Sequence, residues 1–318
     1  MTSRVILAPL ALFCCCAGCF SWTDYPLPAE PSRLVLNCLF TPDSIWKAHV
    51  SLSQSSIENR DTAQAVVDAL VEIWENDTLL GRAVHAGEGV YYLNQHPAAG
   101  KQYRIKVSAP GYPAAEASGR IPQPPLNMSG EWELGTRSPQ FDEYGGIYFT
   151  SPVRFRFTDP AGEANFYMLG MALSDSFTCY NPLTGDTFIN PWDGVAFPFG
   201  TPVDDPFAEG IGKRNDVVLL RDLYFNGAER PITLYADSAG MFSVLCPGNE
   251  AEQRRSFVLY VDVWSLSEPL FSYVTTYLTQ GFGVADPFAT YTNTYNNIQN
   301  GFGIFAGYQR KQVFIYAN

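Results

Sequence analysis

The chain has 318 residues, 32 of them acidic against 20 basic, and a formal net charge of −12. That sign disfavours nucleic acid and anionic lipid surfaces as partners, and no basic run, Arg-rich helix or heptad pattern argues otherwise. A hydrophobic content of 46% with 16% charged residues describes a folded chain long enough for two domains, and 14% aromatics with 26 Gly and 23 Pro favour strands and turns over helices.

Met1 to Gly18 holds one charge, Arg4, then an apolar run from Val5 to Phe13, then small and thiol residues up to Cys19. This is the order of a secretory signal peptide, and the run falls short of the roughly 20 apolar residues that span a bilayer. "CAGC", Cys16 to Cys19, resembles a bacterial lipobox, although Cys16 stands where such boxes usually carry an aliphatic residue. The resemblance implies a signal peptide over 1–18 and acylation of Cys19, which would hold the protein to a membrane through its lipid. A zinc clip is the poorer reading, because these cysteines lack C-x₂-C pairing and a second ligand pair.

A tether over 19–32 precedes a series of short alternating runs. "RLVLNCLF" places Leu34, Leu36, Cys38 and Phe40 on one face, with Cys38 as a core residue. "WKAHVSLS" does the same with Ala48, Val50 and Leu52, "ALVEIWEN" with Ala69, Val71 and Ile73, and "KQYRIKVSAPGY" with Tyr103, Ile105 and Val107. "GEGVYYL", Gly87 to Leu93, reads as another strand. Period-2 alternation with one buried face predicts antiparallel sheets, here an Ig-like or prealbumin-like β-sandwich over 33–121. "IPQPPLN" follows, and its prolines predict a stiff linker over 122–127.

The remaining residues, 128–318, predict a larger β-rich domain with one short helix, so the chain as a whole is expected to be all-β. "SPVRFRFTDPAGEANFYMLGMAL" predicts a hairpin turning at Asp159-Pro160-Ala161-Gly162, and "NDVVLLRDLYFNGAERPITLYAD" a second around Asn226-Gly227. "RRSFVLYVDVWSL" presents Phe257, Leu259, Val261 and Val263 on one face. "SLSEPLFSYVTTYLTQG" predicts a helix capped by Ser267, with a core stripe of Leu270, Val274, Tyr277 and Leu278 and a stop at Gly281. In "NIQNGFGIF", Asn300-Gly301 and Gly303 predict a tight turn into a strand that closely approaches another backbone.

"GEGVYYL", "GKQYRIKVSAPGY" with "IPQPP" after it, and "NIQNGFGIFAGY" carry a wider likeness. The first part resembles carboxypeptidase-regulatory or transthyretin-like sandwiches, and nearly all the mature chain resembles the Bacteroidota lipoproteins grouped as domain-of-unknown-function family 4249. That resemblance implies an exported lipoprotein of the outer membrane, often encoded beside TonB-dependent transporters. It implies no reaction.

No catalytic constellation is legible. The only histidines, His49, His85 and His96, all fall in the first part, and no G-x-S-x-G, H-E-x-x-H, P-loop or dinucleotide motif occurs. No cofactor, no resident metal and no enzymatic activity are therefore expected. Asp204-Asp205 reads as a solvated acidic turn in preference to a calcium ligand pair. Cys179 and Cys246 are candidates for a disulfide, with two buried free thiols as the alternative. The best interaction segment is Phe188 to Phe207, a long stretch without clear alternation, where Trp192, Phe197 and Phe199 are candidate contacts for a protein or glycan. The leading expectation is an accessory component of a TonB-dependent transport system; the alternative is a glycan- or ligand-binding module. The anchor is tested first: Cys19→Ala should move the protein from the membrane pellet to the soluble fraction and abolish incorporation of radiolabelled palmitate.

Overall fold

A computed structural model describes residues 31–54, 63–133, 138–141, 147–180, 184–189, 196–199, 203, 205–211, 217–237, 252–283 and 293–316. The fold is mostly β with one short helix. The first half supplies β1 (Leu34–Phe40), β2 (Trp46–Leu52), β3 (Leu70–Glu75), β4 (Thr78–Gly87), β5 (Val90–Leu93), β6 (Gln102–Ser108) and β7 (Ala115–Arg120). The second supplies β8 (Leu126–Trp132), β9 (Ser138–Phe141), β10 (Ile147–Thr158), β11 (Phe166–Tyr180), β12 (Thr187–Ile189), β13 (Ala196–Phe199), β14 (Ala208–Ile211), β15 (Val217–Arg221), β16 (Glu229–Asp237) and β17 (Glu252–Leu266). Helix α1 (Glu268–Gly283) and β18 (Phe302–Tyr316) complete the chain.

Alternation decides what each strand buries. In β1, Leu34, Leu36, Cys38 and Phe40 are all at most 1% exposed, and β6 buries Tyr103, Ile105 and Val107 as its pattern predicts. These side chains join Trp46, Tyr91, Val71 and Ile73 in one core, in which the rings of Phe40, Trp46, Tyr103 and Phe305 pack at centroid distances of 4.6 to 6.2 Å. "GEGVYYL" is not one strand: Gly87, Glu88 and Gly89 adopt positive φ and turn β4 into β5.

The two predicted hairpins are instead crossings between sheets. A 14-stranded sheet runs β14-β15-β11-β17-β18-β1-β2-β5-β4-β3-β6-β7, with β12 and β13 on β11, while β16-β10-β8 with β9 forms a separate 4-stranded sheet. Asp159 to Gly162 therefore carries the chain from β10 in the small sheet to β11 in the large one, and Asn226-Gly227 carries it back from β15 to β16. Between the sheets lies a second core, where Val153, Phe155 and Phe157 of β10 face Tyr167, Leu169 and Met171 of β11.

Helix α1 covers the opposite face of the large sheet through Leu270 and Phe271, which pack with Leu219, Leu266, Ile304 and Ala306. Tyr277, expected in its core stripe, is 58% exposed. Ser267 does not cap through its side chain, because its buried Oγ lacks a hydrogen-bond partner; its backbone N–H donates to Gly307 O at 3.0 Å and its carbonyl accepts from Phe271 N–H.

The Pro-rich connection has no strand up to Pro125, yet Pro122 and Pro125 are buried and Gln309 Nε2 donates to Pro122 O at 3.2 Å. The ladder continues past it through β18. Residues 302–307 of β18 pair parallel with β1, and 308–316 pair antiparallel with β17. This joins both halves in one hydrogen-bonded path and places Phe305 in the first core and Ile315 in the second.

The approach of β18 to β1 requires glycine, as the turn reading anticipated. Asn300 sits at φ +57°, and a Cβ on Gly303, at φ +114°, would lie 2.1 Å from Leu36 O. Gly303→Ala should lower unfolding stability by about 2 kcal/mol or more, through backbone strain plus the contact. Gly111, with φ +82° and nothing within 4 Å of a built Cβ, is the control; Gly111→Ala should cost only about 1 kcal/mol. Urea unfolding of both variants checks this.

Candidate functional site

The two sheet crossings meet at one end of the second core and build the most distinctive constellation in the described residues. Gly227 N–H donates to Asp159 Oδ2 at 2.9 Å, Asp159 N–H to Ala228 O at 3.0 Å, and Gly162 N–H to Asn226 Oδ1 at 3.2 Å. Asn226 Nδ2 donates to Glu163 O at 3.0 Å, and Asp222 N–H to Asn165 O at 3.2 Å. Gly227 is needed here: it has φ +74°, and its Cβ would lie 2.8 Å from that of Ala161. The Tyr167 hydroxyl donates to Asp159 Oδ1 beneath these turns. Asp159, Asn165, Tyr167 and Asp222 are all at most 3% exposed.

Burial, chiefly, raises the Asp159 carboxyl above the usual carboxylate range, against the hydrogen bonds from Tyr167, Gly227 and Asn165, and the nearby Asp222 charge adds to the rise. Burial and the Asp159 carboxylate push the Tyr167 hydroxyl far up as well. Glu163, in the same turn, pairs with Arg120 at the end of β7 and so ties the crossing to the first half.

On the surface above this cluster, the turn "DLYFNG" buries Asp222 and Phe225 but exposes what lies between. Leu223 is 72% and Tyr224 73% exposed, and Phe207, 46% exposed, stacks against Tyr224 with centroids 4.6 Å apart. Arg230 lies over both Phe207 and Phe225 at 5.4 Å and is held by an ion pair with Asp205. Asp205 is therefore not part of a solvated acidic turn: its side chain is 4% exposed, and it also accepts the Phe207 N–H at 2.8 Å. An exposed apolar ledge of Phe207, Leu223 and Tyr224 results. Its sequence signal was three large apolar residues, Leu223, Tyr224 and Phe225, inside a turn between Asp222 and Asn226-Gly227.

A second concavity, a groove of about 420 Å³, lies on the small sheet and is lined by Ser129, Glu131, Arg154, Arg156, Glu229 and Thr233 among others. Arg156 Nε donates to Ser129 Oγ at 2.8 Å, and Arg154 pairs with Glu133 at 2.7 Å.

Cys19, Trp192, Asp204 and Cys246 lie outside the described residues, and Phe197 and Phe199 are described only in backbone. The stretch from Phe188 is not all loop: β12 and β13 both pair with β11, Phe197 opposite Leu173 and Phe199 opposite Met171. Cys179 is disulfide-bonded. The histidines stand apart in local roles. His49 is half-buried on β2, His85 Nε2 accepts the Gly89 N–H at 3.3 Å, and His96 Nδ1 lies 3.0 Å from Pro42 O. Among the described residues, no three His, Cys, Asp or Glu side chains gather as a metal cluster, and no helix is long and apolar enough to cross a membrane.

The family model described as Domain of unknown function (DUF4249) matches residues 23–313. The chain belongs to that family. No curated protein matches it.

Cys38 is the free cysteine among the described residues, and burial pushes its thiol up to about 12. Thiolate is the reactive form, so native Cys38 should resist dithionitrobenzoate near neutral pH and react fully only in denaturant. Thiol titration before and after adding guanidinium checks this, and rapid native reaction at Cys38 would contradict the packing of β1.

Proposed function

We propose that this protein is a non-enzymatic outer-membrane lipoprotein of the Bacteroidota that docks a protein partner, as an accessory component of a TonB-dependent transport system. The observation that carries the docking reading is the ledge of Phe207, Leu223 and Tyr224, whose exposures of 46%, 72% and 73% are large for apolar residues. Exposed aromatic and aliphatic groups of this kind mark partner sites, since anchors at interfaces are enriched in aromatic residues. Lipid on Cys19 followed by the 19–32 tether would keep the body close to the membrane. The net charge of −12 works against the ledge settling on anionic lipid, which leaves an integral β-barrel protein as the partner that such a tether brings within reach.

In this reading, two β domains divide the work. An N-terminal sandwich resembling the Ig-like or prealbumin-like type would act as the spacer nearest the tether, with the larger β domain presenting the ledge.

A second reading, a surface glycan- or ligand-binding module, draws on the groove lined by Arg154, Arg156, Glu131 and Glu229, whose charges of both signs suit a polar ligand. Copurification of the tagged, acylated protein from native outer membranes in mild detergent separates the two. Recovery of a TonB-dependent transporter in stoichiometric amount, lost in Leu223→Ser/Tyr224→Ser and in Cys19→Ala, is the expected result. Recovery of the protein alone overturns the accessory reading and brings the groove forward.

A further inference from the structure

The outward face of the small sheet is grooved along β10, and its register shows why. Val153, Phe155 and Phe157 turn into the second core, so Arg154 and Arg156 point the other way. Arg154 stands between Glu131 of β8 and Thr233 of β16, and Arg156 between Ser129 and Pro231. Residues opposite one another in an antiparallel ladder share a face, so two long side chains rise here among several short ones. The resulting groove, of about 420 Å³, is of a size that takes a small molecule.

Its charged groups are only partly engaged within the chain. Arg154 pairs with Glu133 at 2.7 Å. Arg156 Nε donates to Ser129 Oγ at 2.8 Å, which orients the guanidinium plane and leaves both Nη groups without a partner among the described residues. Glu131, opposite Arg154, and Glu229, opposite Thr158 on the other side of β10, make no ion pair among the described residues. Both stand diagonal to Arg156, one on each side, and diagonal neighbours in a ladder are about 7–8 Å apart. That spacing leaves room for a small group between the guanidinium and either carboxylate.

The balance of charge selects the ligand. With Arg154 neutralised by Glu133, the groove keeps one cation flanked by two carboxylates. An inorganic anion would meet Arg156 but also both carboxylates, and a simple cation would meet the carboxylates but also Arg156. A neutral sugar finds no aromatic face to stack on, because Phe155, the aromatic residue of the lining, is 1% exposed and belongs to the second core. A ligand carrying both charges meets neither objection. Its carboxylate is matched by two parallel N–H groups of a guanidinium, and its ammonium by a carboxylate.

We propose that the groove on the small sheet binds an α-amino acid zwitterion, with its carboxylate on the Arg156 fork and its ammonium on Glu131 or Glu229. The proposal rests on the ligand-binding reading above and narrows it to a ligand of both charges in place of a neutral glycan. Ser129 is a positioning residue, since it touches the ligand only through the guanidinium it holds.

The test titrates the full folded protein with L-alanine, followed by calorimetry and by the backbone amide signals of Ser129, Gly130 and Glu131 in two-dimensional NMR. L-Alanine should saturate one site and shift those signals. Alaninamide, which lacks the carboxylate, and N-acetylalanine, which lacks the ammonium, should each bind about fivefold more weakly, the scale of an exposed charge pair. Arg156→Lys keeps the charge and loses the fork, and should weaken L-alanine by about the same factor. Glu131→Gln combined with Glu229→Gln should abolish the preference for L-alanine over N-acetylalanine, a change that a merely structural role would not produce. Equal binding of N-acetylalanine to the unaltered protein would make the groove a plain carboxylate site and overturn the proposal, as would unchanged affinity in Arg156→Lys. Maltoheptaose shifting the same signals while L-alanine does not overturns the proposal and keeps the ligand-binding reading. Silence with both probes overturns the proposal and leaves that reading without its groove.

Discussion

Everything in this fold depends on one strand entering two ladders. The first part of β18 adds to β1 in parallel, and the second part adds to β17 antiparallel. Parallel neighbours cannot be joined by a tight turn, so the strand that completes the first half must come from far along the chain, and it arrives from the C-terminus. Because side chains alternate along β18, Phe305 enters the first core while Ile304 and Ala306 turn to the helix α1 face, and further on Ile315 enters the second core. The approach to β1 is close enough that Cβ atoms on Gly301 and Gly303 would lie 2.5 and 2.1 Å from the carbonyl oxygens of Leu34 and Leu36. Glycine there is a condition of the pairing. The polar residues around it serve the same junction: Asn297 Nδ2 donates to Phe305 O at 2.8 Å while its Oδ1 accepts the Phe305 N–H, and Asn300 Nδ2 donates to Ala114 O at 3.3 Å.

The second half solves a different problem, covering the broad apolar face of β11 and β17. A small sheet does this, and the chain crosses between the sheets at both ends of the β11 to β15 segment, leaving from β10 and returning into β16. Cross-strand groups beyond the junction hold the long strands of the large sheet in register. Arg310 makes two hydrogen bonds of 2.8 Å to the nearly buried Asp262, Gln312 adds a third at 3.0 Å, and the guanidinium also lies over Trp264. Its hydrogen bonds to Asp262 are the main reason the Arg310 guanidinium holds its proton more firmly than usual. A carboxylate that deep is tolerated only because its acceptors are met.

Strand identity was legible in the sequence because it is a local property. Leu34, Leu36, Cys38 and Phe40 alternate with polar or exposed residues, and any strand with one covered face must read that way. Pairing was not legible, because alternation says that a face is buried without saying by what. Asp159-Pro160-Ala161-Gly162 and Asn226-Gly227 carry the residues of tight turns, and they do reverse the chain; turn chemistry does not specify whether the returning strand joins the same sheet or the one facing it. The Pro-rich connection shows the same limit. Its prolines exclude a central strand, as expected, but Pro122 is met by Gln309 of β18, nearly two hundred positions away. Glycines at 301 and 303 were the exception. They announced a close backbone approach, because glycines next to apolar residues at the start of a strand leave room for another backbone.

The candidate sites follow the same division between local and assembled information. Trp192, Phe197 and Phe199 drew attention because aromatics in an irregular stretch are visible in one dimension, yet the backbone at Phe197 and Phe199 is committed to pairing with β11. The ledge and the cluster beneath it form only when two crossings separated by some sixty residues meet, so Asp159, Asn165, Asp222, Leu223 and Tyr224 carry no shared motif. Their arrangement has an internal logic. A turn that exposes Leu223 and Tyr224 would collapse onto the nearest apolar surface unless its backbone were fixed, and the fixing groups are polar ones placed directly below: Asp159 on the Gly227 amide, Asn226 on Gly162, and Asn165 O on Asp222 N–H. The exposed apolar contact area is thus held out by the buried polar brace beneath it.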